Sequence, residues 1–428
     1  MGAEPPREAV VPKGVCRPVP TGGGPASFVA VQDSPSPRRR AAQRVDTTGK
    51  LDSSFVTITV RSIPAAQHLE FVQAQPSVSF LQTPAWARVK AEWDSESIGW
   101  FDGSELVGAA LVLYRQVPKV KRFLAYIPEG PVLPWQQVVA NPQAYFSPLL
   151  EHAKGKGAFA FKMGPAVATR RWQAETVKKA IADDSVTRLG DVPADEEIAT
   201  GLSLQKALPG AGWLQEQGGG AGFGDVQPRY VYQLDLAGRS KDDVFAGFNQ
   251  LWRRNIRKAE KLGVEVDLGS REDLALFHPV YVETAERDGF TPRGLSYFQR
   301  MWDAMNAEDP NRLRLYLARH EGEVVAATTM VTVGEHAWYS YGASTTASRN
   351  VRPSNAVQWR MITDSIDSGC TVYDLRGISD NLTAGDHLLG LVQFKVGTGG
   401  YAQEYVGEWD QVLRALWNKA YEVYRKRG

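Results

Sequence analysis

Between residues 229 and 428 the chain runs strand, helix, strand, helix, three strands, helix, strand, helix, strand and a last helix, and a shorter version of that order already occupies 53–195. The later copy is the clearer. "RYVYQLDL" alternates as a half-buried strand does. "SKDDVFAGFNQLWRRNIRKAEKLG" opens on a Ser240–Asp243 capping box and stops at Gly263. "VEVDL" returns as a strand, and a second Ser-x-x-Asp box opens "SREDLALFHPVYVETAERDG". Three strands then turn at Glu321-Gly322 and Gly334-Glu335. "NAVQWRMITDSIDSG" is helical, "TVYDLRG" is a strand, "LLGLVQFKVGTGG" follows it, and "YAQEYVGEWD" is strand-like. In the earlier copy, "SFVTITVRSI" leads through two helices to a hairpin at Asp102-Gly103, then helix and strand through "PLLEHAKGKGAFAFKMGP".

Strand, helix, strand and helix followed by a three-strand meander and another helix is the element order of an acyltransferase fold of the N-acetyltransferase type. The chain is therefore expected to be a mixed α/β (α+β) protein of two tandem N-acetyltransferase (GNAT)-like domains, 53–195 and 196–409. The helix within 410–428 is expected to pack back on the first domain. Residues 196–227 read as a looser crossing. Residues 1–52, with eight prolines and "SPSPRRRAAQR", lack apolar periodicity and read as a disordered tail. The 428 residues, 43% hydrophobic, suffice for two proper cores.

A net charge of +1 gives no global attraction to nucleic acid, so any such contact must be local, and no DNA partner is expected. Two distant cysteines, Cys16 and Cys370, fit a reducing cytoplasm. No apolar run reaches the length of a membrane span, and the N-terminus lacks a signal-like core. The six histidines show no metal-ligand spacing, and no nucleophile elbow or catalytic cysteine context appears. No metal or cofactor is expected, and the nucleophile would be an amine of the substrate.

The acetyl-coenzyme A loop also fails to appear. Gln217 to Gly222 matches Q-x-x-G-x-G, but a loop, a proline and a strand follow it rather than a helix. "HAKGKGAF" leads into a strand, and in "KVGTGG" the lysine precedes the glycines, so neither is a phosphate loop.

Other positions each admit two readings. Phe245, Phe248, Trp252, Ile256 and Ala259 form an apolar stripe, while Arg253, Arg254, Arg257, Lys258 and Lys261 place five cations in nine residues. That face is either solvated or a phosphate-binding patch. Arg293 and Tyr297 share a helix face, as a surface arginine over a core tyrosine or as a binding pair. Tyr339 and Tyr341 alternate on a strand, so both hydroxyls are expected on one face, packed on a helix or lining a channel. Lys90, one turn after Trp86, is by itself an ordinary surface lysine. Lys395, inside the apolar run "GLVQFKVG", is the odd residue, because lysine is rarely buried unless paired or used.

Seven segments in order, "LQTPAWARVKAEW", "LAYIPEGPV", "FNQLWRRNIRKAEKLGVEV", "HAWYSYGAS", "RPSNAVQWRMI", "YDLRGISD" and "QFKVGTGG", resemble the FemABX peptidyltransferases, and more closely the actinobacterial FemX-like members. The resemblance covers 53–428. It implies transfer of glycine, alanine or serine from aminoacyl-tRNA, a co-substrate, to the residue-three side-chain amine of a peptidoglycan precursor stem peptide. The precursor would be lipid II or UDP-MurNAc-pentapeptide, and the product would start an interpeptide bridge. A cytoplasmic monomer, able to meet the inner membrane face peripherally, goes with that role.

Carried over, Lys395 and Phe394 match the catalytic positions, with Phe394 packed beneath a lysine that stabilises an oxyanion. The glycines after them would turn the chain away. Lys90, Arg293 and Tyr297 match positions binding the precursor diphosphate, and Tyr339 and Tyr341 a pair in the same channel. Binding of tRNA by the basic helix is a hypothesis added to this. Three positions depart from the family's pattern: Glu129 replaces a basic residue, Pro134 an acid, and Gly164 the acid of Lys-Ile-Asp-Pro. Tailoring of a non-wall amine such as a peptidyl antibiotic, coenzyme A-dependent N-acetyl transfer, and a non-enzymatic RNA- or precursor-binding role are the alternatives.

Overall fold

A computed structural model describes residues 57–215 and 226–425. The expected tail (1–52) and the glycine run 217–222 lie outside the described residues. The first half runs β1 (Ile58–Ser62), α1 (Ala65–Gln73), α2 (Pro84–Val89), β2 (Asp94–Asp102), β3 (Glu105–Gln116) and β4 (Phe123–Ile127). It continues with α3 (Trp135–Ala140), α4 (Pro142–Gly155), β5 (Ala158–Met163), β6 (Ala168–Gln173), α5 (Ala174–Ala182), β7 (Glu196–Glu197) and α6 (Ala199–Gly210). The second half begins β8 (Tyr230–Asp235), α7 (Lys241–Gly247), α8 (Gln250–Lys261), β9 (Glu265–Gly269), α9 (Leu274–Asp288) and α10 (Leu295–Glu308). Then come β10 (Leu313–His320), β11 (Glu323–Val333), β12 (His336–Ser344), α11 (Pro353–Asp367) and β13 (Val372–Gly377). Last are α12 (Leu389–Val396), β14 (Tyr401–Tyr405), β15 (Trp409–Val412) and α13 (Ala415–Arg425).

Two sheets result, ordered β1-β2-β3-β4-β5-β15 and β7-β6-β14-β8-β13-β12-β11-β10-β9. In each, an antiparallel run ends in one parallel pair, β4 with β5 and β12 with β13. A parallel pair needs a crossover, and α3–α4 and α11 supply it. The repeated module is thus β1 to β5 and again β9 to β13. It starts at β9, one strand later than the sequence pattern suggests, because β8 inserts between β13 and β14.

The sheets also trade strands. β6 and β7, from the first half, extend the second sheet through β14, while β15 joins β5 at the edge of the first. Gly407, at φ +80°, turns the chain between β14 and β15. So the strands do not sort at residue 195. The looser crossing expected over 196–227 holds a helix, α6, whose two glycines and Pro209 obscure its periodicity. Helix α13 lies against the first sheet, Tyr421 5.2 Å from Phe159. Among the described residues no helix is long and apolar enough to cross a membrane.

Period-two alternation places three cores. On β3, Ala110, Val112 and Tyr114 face a core with Trp100, Phe146, Phe161 and Trp213. Leu111 and Leu113 face the other way, toward Phe80, Trp86, Leu315, Leu317, Val331 and Trp338, so this core joins the two sheets. The third core covers the far side of the second sheet through Tyr316, Met330, Tyr373 and Trp252.

The glycines after Lys395 serve this packing. A Cβ on Gly397 would lie 2.3 Å from Trp252, and one on Gly400 2.0 Å from the Gln233 carbonyl oxygen of β8. Gly399, at φ +75°, passes against the Gly247 carbonyl. Gly400→Ala should therefore displace backbone, and we expect a loss of at least ~2 kcal/mol. Urea unfolding would read it as a lower midpoint at unchanged m-value.

Candidate active site

Helix α12 ends at the conspicuous lysine. Val392, Lys395 and Val396 are spaced three and four apart and share its buried face. Lys395 keeps only 3% of its surface. Its Nζ donates to the carbonyl oxygens of Gly377 (2.6 Å) and Arg376 (3.3 Å), at the end of β13. An ammonium has three N–H donors, so one remains. The helix C-terminus adds a favourable partial charge.

Around it lies a set of charges, Asp374 buried and Arg376 and Glu129 half-buried. Arg376 has left-handed backbone (φ 64°), and its amide donates to Asp374. Its guanidinium meets the Glu129 carboxylate at 2.9 Å. Glu129, in the loop after β4, is itself left-handed (φ 47°). Two non-glycine residues in that region store strain, which persists only where neighbours overdetermine it. The neighbours are visible: Ser79 donates to Glu129, and buried Gln82 donates to the Pro128 carbonyl while accepting from the Leu111 amide. Burial opposes the Asp374 charge, but His336, Arg376 and Gln233 outweigh it and hold the carboxyl below its ordinary pKa. His336 stacks on Trp338 and bonds Ser77.

Two grooves adjoin the neighbours of Lys395, one at Arg376 and one at Phe394. Ser77, Ser79, Glu129, Trp135, His336, Asp374, Arg376 and Tyr405 line one, drawn from both halves of the chain. Phe394, Tyr339, Gln358, Thr328 and Arg349 line the other, of about 620 Å³. The second exists because β12 pairs with β13 only from His336 to Trp338, then diverges.

Most of the expected site residues gather. The Arg293 guanidinium lies 4.5 Å from the Tyr297 ring centre, and the Tyr297 and Tyr341 hydroxyls are 3.3 Å apart. Lys90 caps α2 over Trp86; burial first, then repulsion from Arg293, lowers its pKa. Contacts run from there to the lysine: Trp86 edges Phe80 at 5.6 Å, and Arg376 sits 5.7 Å over Phe80.

Two expectations need correction. Tyr339 and Tyr341 do not share a face. Thr329 pairs with Tyr341 and Met330 with Tyr339, so Ser340 is an extra, bulged residue that reverses the alternation. Tyr341 joins Tyr297, while Tyr339 joins the opposite core and the Phe394 groove. Nor does Phe394 lie beneath the ammonium. Its ring turns to Trp252, 4.6 Å away, and its carbonyl accepts the Trp252 indole N–H.

On the basic helix α8, Arg254, Arg257, Lys258 and Lys261 are exposed, and Arg253 donates to the Ala246 carbonyl. The unusual Glu129 is explained as the partner of Arg376. Pro134 stands at the N-cap of α3. The acid absent at Gly164 has a neighbour: a Cβ there would lie 3.0 Å from Glu408, whose carboxylate accepts the Tyr126 hydroxyl. Sequence reasoning missed Arg376, Asp374 and His336. "YDLRGISD" held two of them, but a strand residue's importance depends on what pairs with it.

Known proteins share this pattern. The FemAB family model matches residues 63–319 and 311–426. A lipid II:glycine glycyltransferase of Staphylococcus saprophyticus is 26% identical over 411 residues, 81% of this chain and 91% of its own. That of Staphylococcus haemolyticus is 24% identical over 422 residues, 82% of this chain and 92% of its own. The crystal structure of FemX superposes with a TM-score of 0.69 at 22% identity, covering 84% of this chain and 99% of that one.

Burial lowers the Lys395 pKa from 10.5 to about 7, Asp374 pulling it up and Arg376 pushing it down. Above that value the unfolded chain binds a proton that the folded chain has released, so stability rises with pH toward the unfolded pKa. Lys395→Met lacks this gain. From pH 7 to pH 9, wild type should gain on the variant by up to ~1.4 kcal/mol per pH unit in urea unfolding. A difference that stays flat would mean an unshifted lysine.

Proposed function

The chain belongs to the FemAB family, and from that premise we infer that it is an aminoacyltransferase moving an aminoacyl group from tRNA to the residue-three side-chain amine of a peptidoglycan precursor. One observation carries the reading: a buried lysine with a donor to spare stands between two grooves, bonded to Arg376 of one and adjoining Phe394 of the other. A reaction joining two large substrates through a charged intermediate uses that arrangement.

The acceptor amine attacks the ester carbonyl of the aminoacyl ribose. The carbonyl oxygen becomes an oxyanion, and the remaining N–H of Lys395 stabilises it. The ester C–O bond then breaks, and the ribose hydroxyl leaves with the proton that the amine gives up. Lys90, Arg293 and Tyr297, with Tyr341, form the diphosphate end of the acceptor site. This supports either a lipid-linked or a nucleotide-linked precursor, since both carry a diphosphate. Glycine is the favoured group, as the curated relatives are named glycyltransferases.

The test is incubation with charged Gly-, Ala- and Ser-tRNA and each precursor form, followed by mass analysis. One glycyl addition to the stem peptide is expected from Gly-tRNA. No product from any pairing would remove the reading.

A further inference from the structure

One end of the first sheet carries charge that the transfer chemistry does not use. Register places the start of β2, the end of β3, the starts of β4 and β5 and the end of β15 together there. Asp94 pairs with Tyr114, Phe123 with Gln116 and Ala158, and Val412 with Ala160. At about 5 Å per strand, this rim runs roughly 20 Å from β2 to β15. Lys119 and Lys121 stand exposed in the turn "PKVKR" between β3 and β4, and Arg115 is exposed just before it. The Arg122 guanidinium lies 5.5 Å from the centre of the Trp417 ring, so α13 adjoins that turn. Arg414 and Lys419 come with the helix, both exposed. These cations have no acidic partner among the described residues. The acids nearby are engaged: Glu96 with His152 and Lys156, Glu151 with Lys154, and Asp410 with Lys162. Exposed Asp94 is the exception.

The same helix exposes hydrocarbon. Tyr421 packs on Phe159 and Trp417 lies under Arg122. Leu416, Ala420 and Val423, four and three residues apart, share another face. That face is open, with Leu416 87% and Val423 44% exposed. Lys419 flanks it, and Arg425, Lys426 and Arg427 follow in the sequence. We propose that the 119–122 turn and this face of α13 dock on an anionic lipid bilayer. Aliphatic side chains enter the acyl boundary while cations beside them meet the headgroup phosphates. An RNA backbone would use the cations and leave Leu416 and Val423 in water, so the combination favours lipid. Position supports the same partner. Lys90 lies four residues before Asp94, at this end of the sheet, and Arg115 sits 5.8 Å from the ring of the intervening Trp93. The diphosphate end of the acceptor site is therefore beside the rim. A diphosphate carried on a lipid anchor reaches Lys90 without leaving the membrane surface. The proposal rests on the acceptor reading above and selects its lipid-linked form.

The probe is large vesicles of phosphatidylglycerol and phosphatidylcholine, with phosphatidylcholine alone as the neutral arm, sedimented with the full chain across a salt series. Binding to the anionic vesicles alone, weakening as salt rises, is expected. Each cation near such a surface contributes about fivefold to affinity, so Lys121→Gln/Lys419→Gln should weaken binding by roughly tenfold or more. Leu416→Gln/Val423→Gln should also weaken it by roughly tenfold, through lost apolar burial. These side chains are exposed, so thermal melting should be unchanged. In transfer assays both variants should raise KM for a lipid-linked precursor held in the anionic vesicles and keep kcat. With a short-chain precursor dissolved without vesicles, KM should be unchanged. Wild type that ignores anionic vesicles, or variants that bind them as wild type does, would overturn the docking surface. Variants that keep the vesicles but lose affinity for an RNA hairpin would assign the rim to RNA and overturn it too. Vesicle binding by wild type with no transfer to any precursor would instead remove the functional reading and leave the surface standing.

Discussion

The ion pair between Glu129 and Arg376 ties the loop after β4 to the end of β13, and the geometry around Lys395 hangs from it. A largely buried guanidinium without a partner is unfavourable, so the pair holds the loop after β4 against the end of β13. Both partners accept left-handed backbone to meet. That conformation at Arg376 presents the carbonyls of Arg376 and Gly377 to Lys395. With Asp374 beside them, two acids face two bases in a space nearly closed to water. Without Arg376 and its acids, the lysine would have no fixed acceptors and no reason to remain inside.

The rest of the site follows from how the second sheet opens. β12 leaves β13 after Trp338, and a bulge at Ser340 sends Tyr339 and Tyr341 to opposite faces. One face then carries Tyr341, Tyr297, Arg293 and Lys90, joined to Arg376 through Trp86 and Phe80. The other carries Tyr339, Phe394 and the start of α11. A single extra residue thus divides what looks like one tyrosine pair between two faces of the sheet. Lys395 adjoins both sides, donating to the Arg376 carbonyl and following Phe394 in the chain.

Much of this was legible in the sequence, for identifiable reasons. Capping boxes at Ser240 and a turn at Asp102-Gly103 are local, and the repeated order of elements followed from them. Lys395 stood out because a charge in an apolar helix face contradicts its surroundings. The exchange of β6 and β15 between sheets was not legible, since it depends on pairings far apart in the chain. The bulge was hidden because strict alternation is the default for any strand. The glycines after Lys395 invited a loop reading, whereas Gly397 and Gly400 are there because Trp252 and Gln233 approach too closely for a side chain. Arg376 and Glu129 each lacked meaning until seen together.

The central claim is that the Lys395 ammonium stabilises the transition state of aminoacyl transfer and does little else for substrate binding. The most direct measurement compares wild type with Lys395→Met in single-turnover transfer from charged tRNA, alongside equilibrium binding of the precursor. The account predicts that transfer is abolished while precursor affinity is kept. Transfer at the wild-type rate in the variant would contradict it.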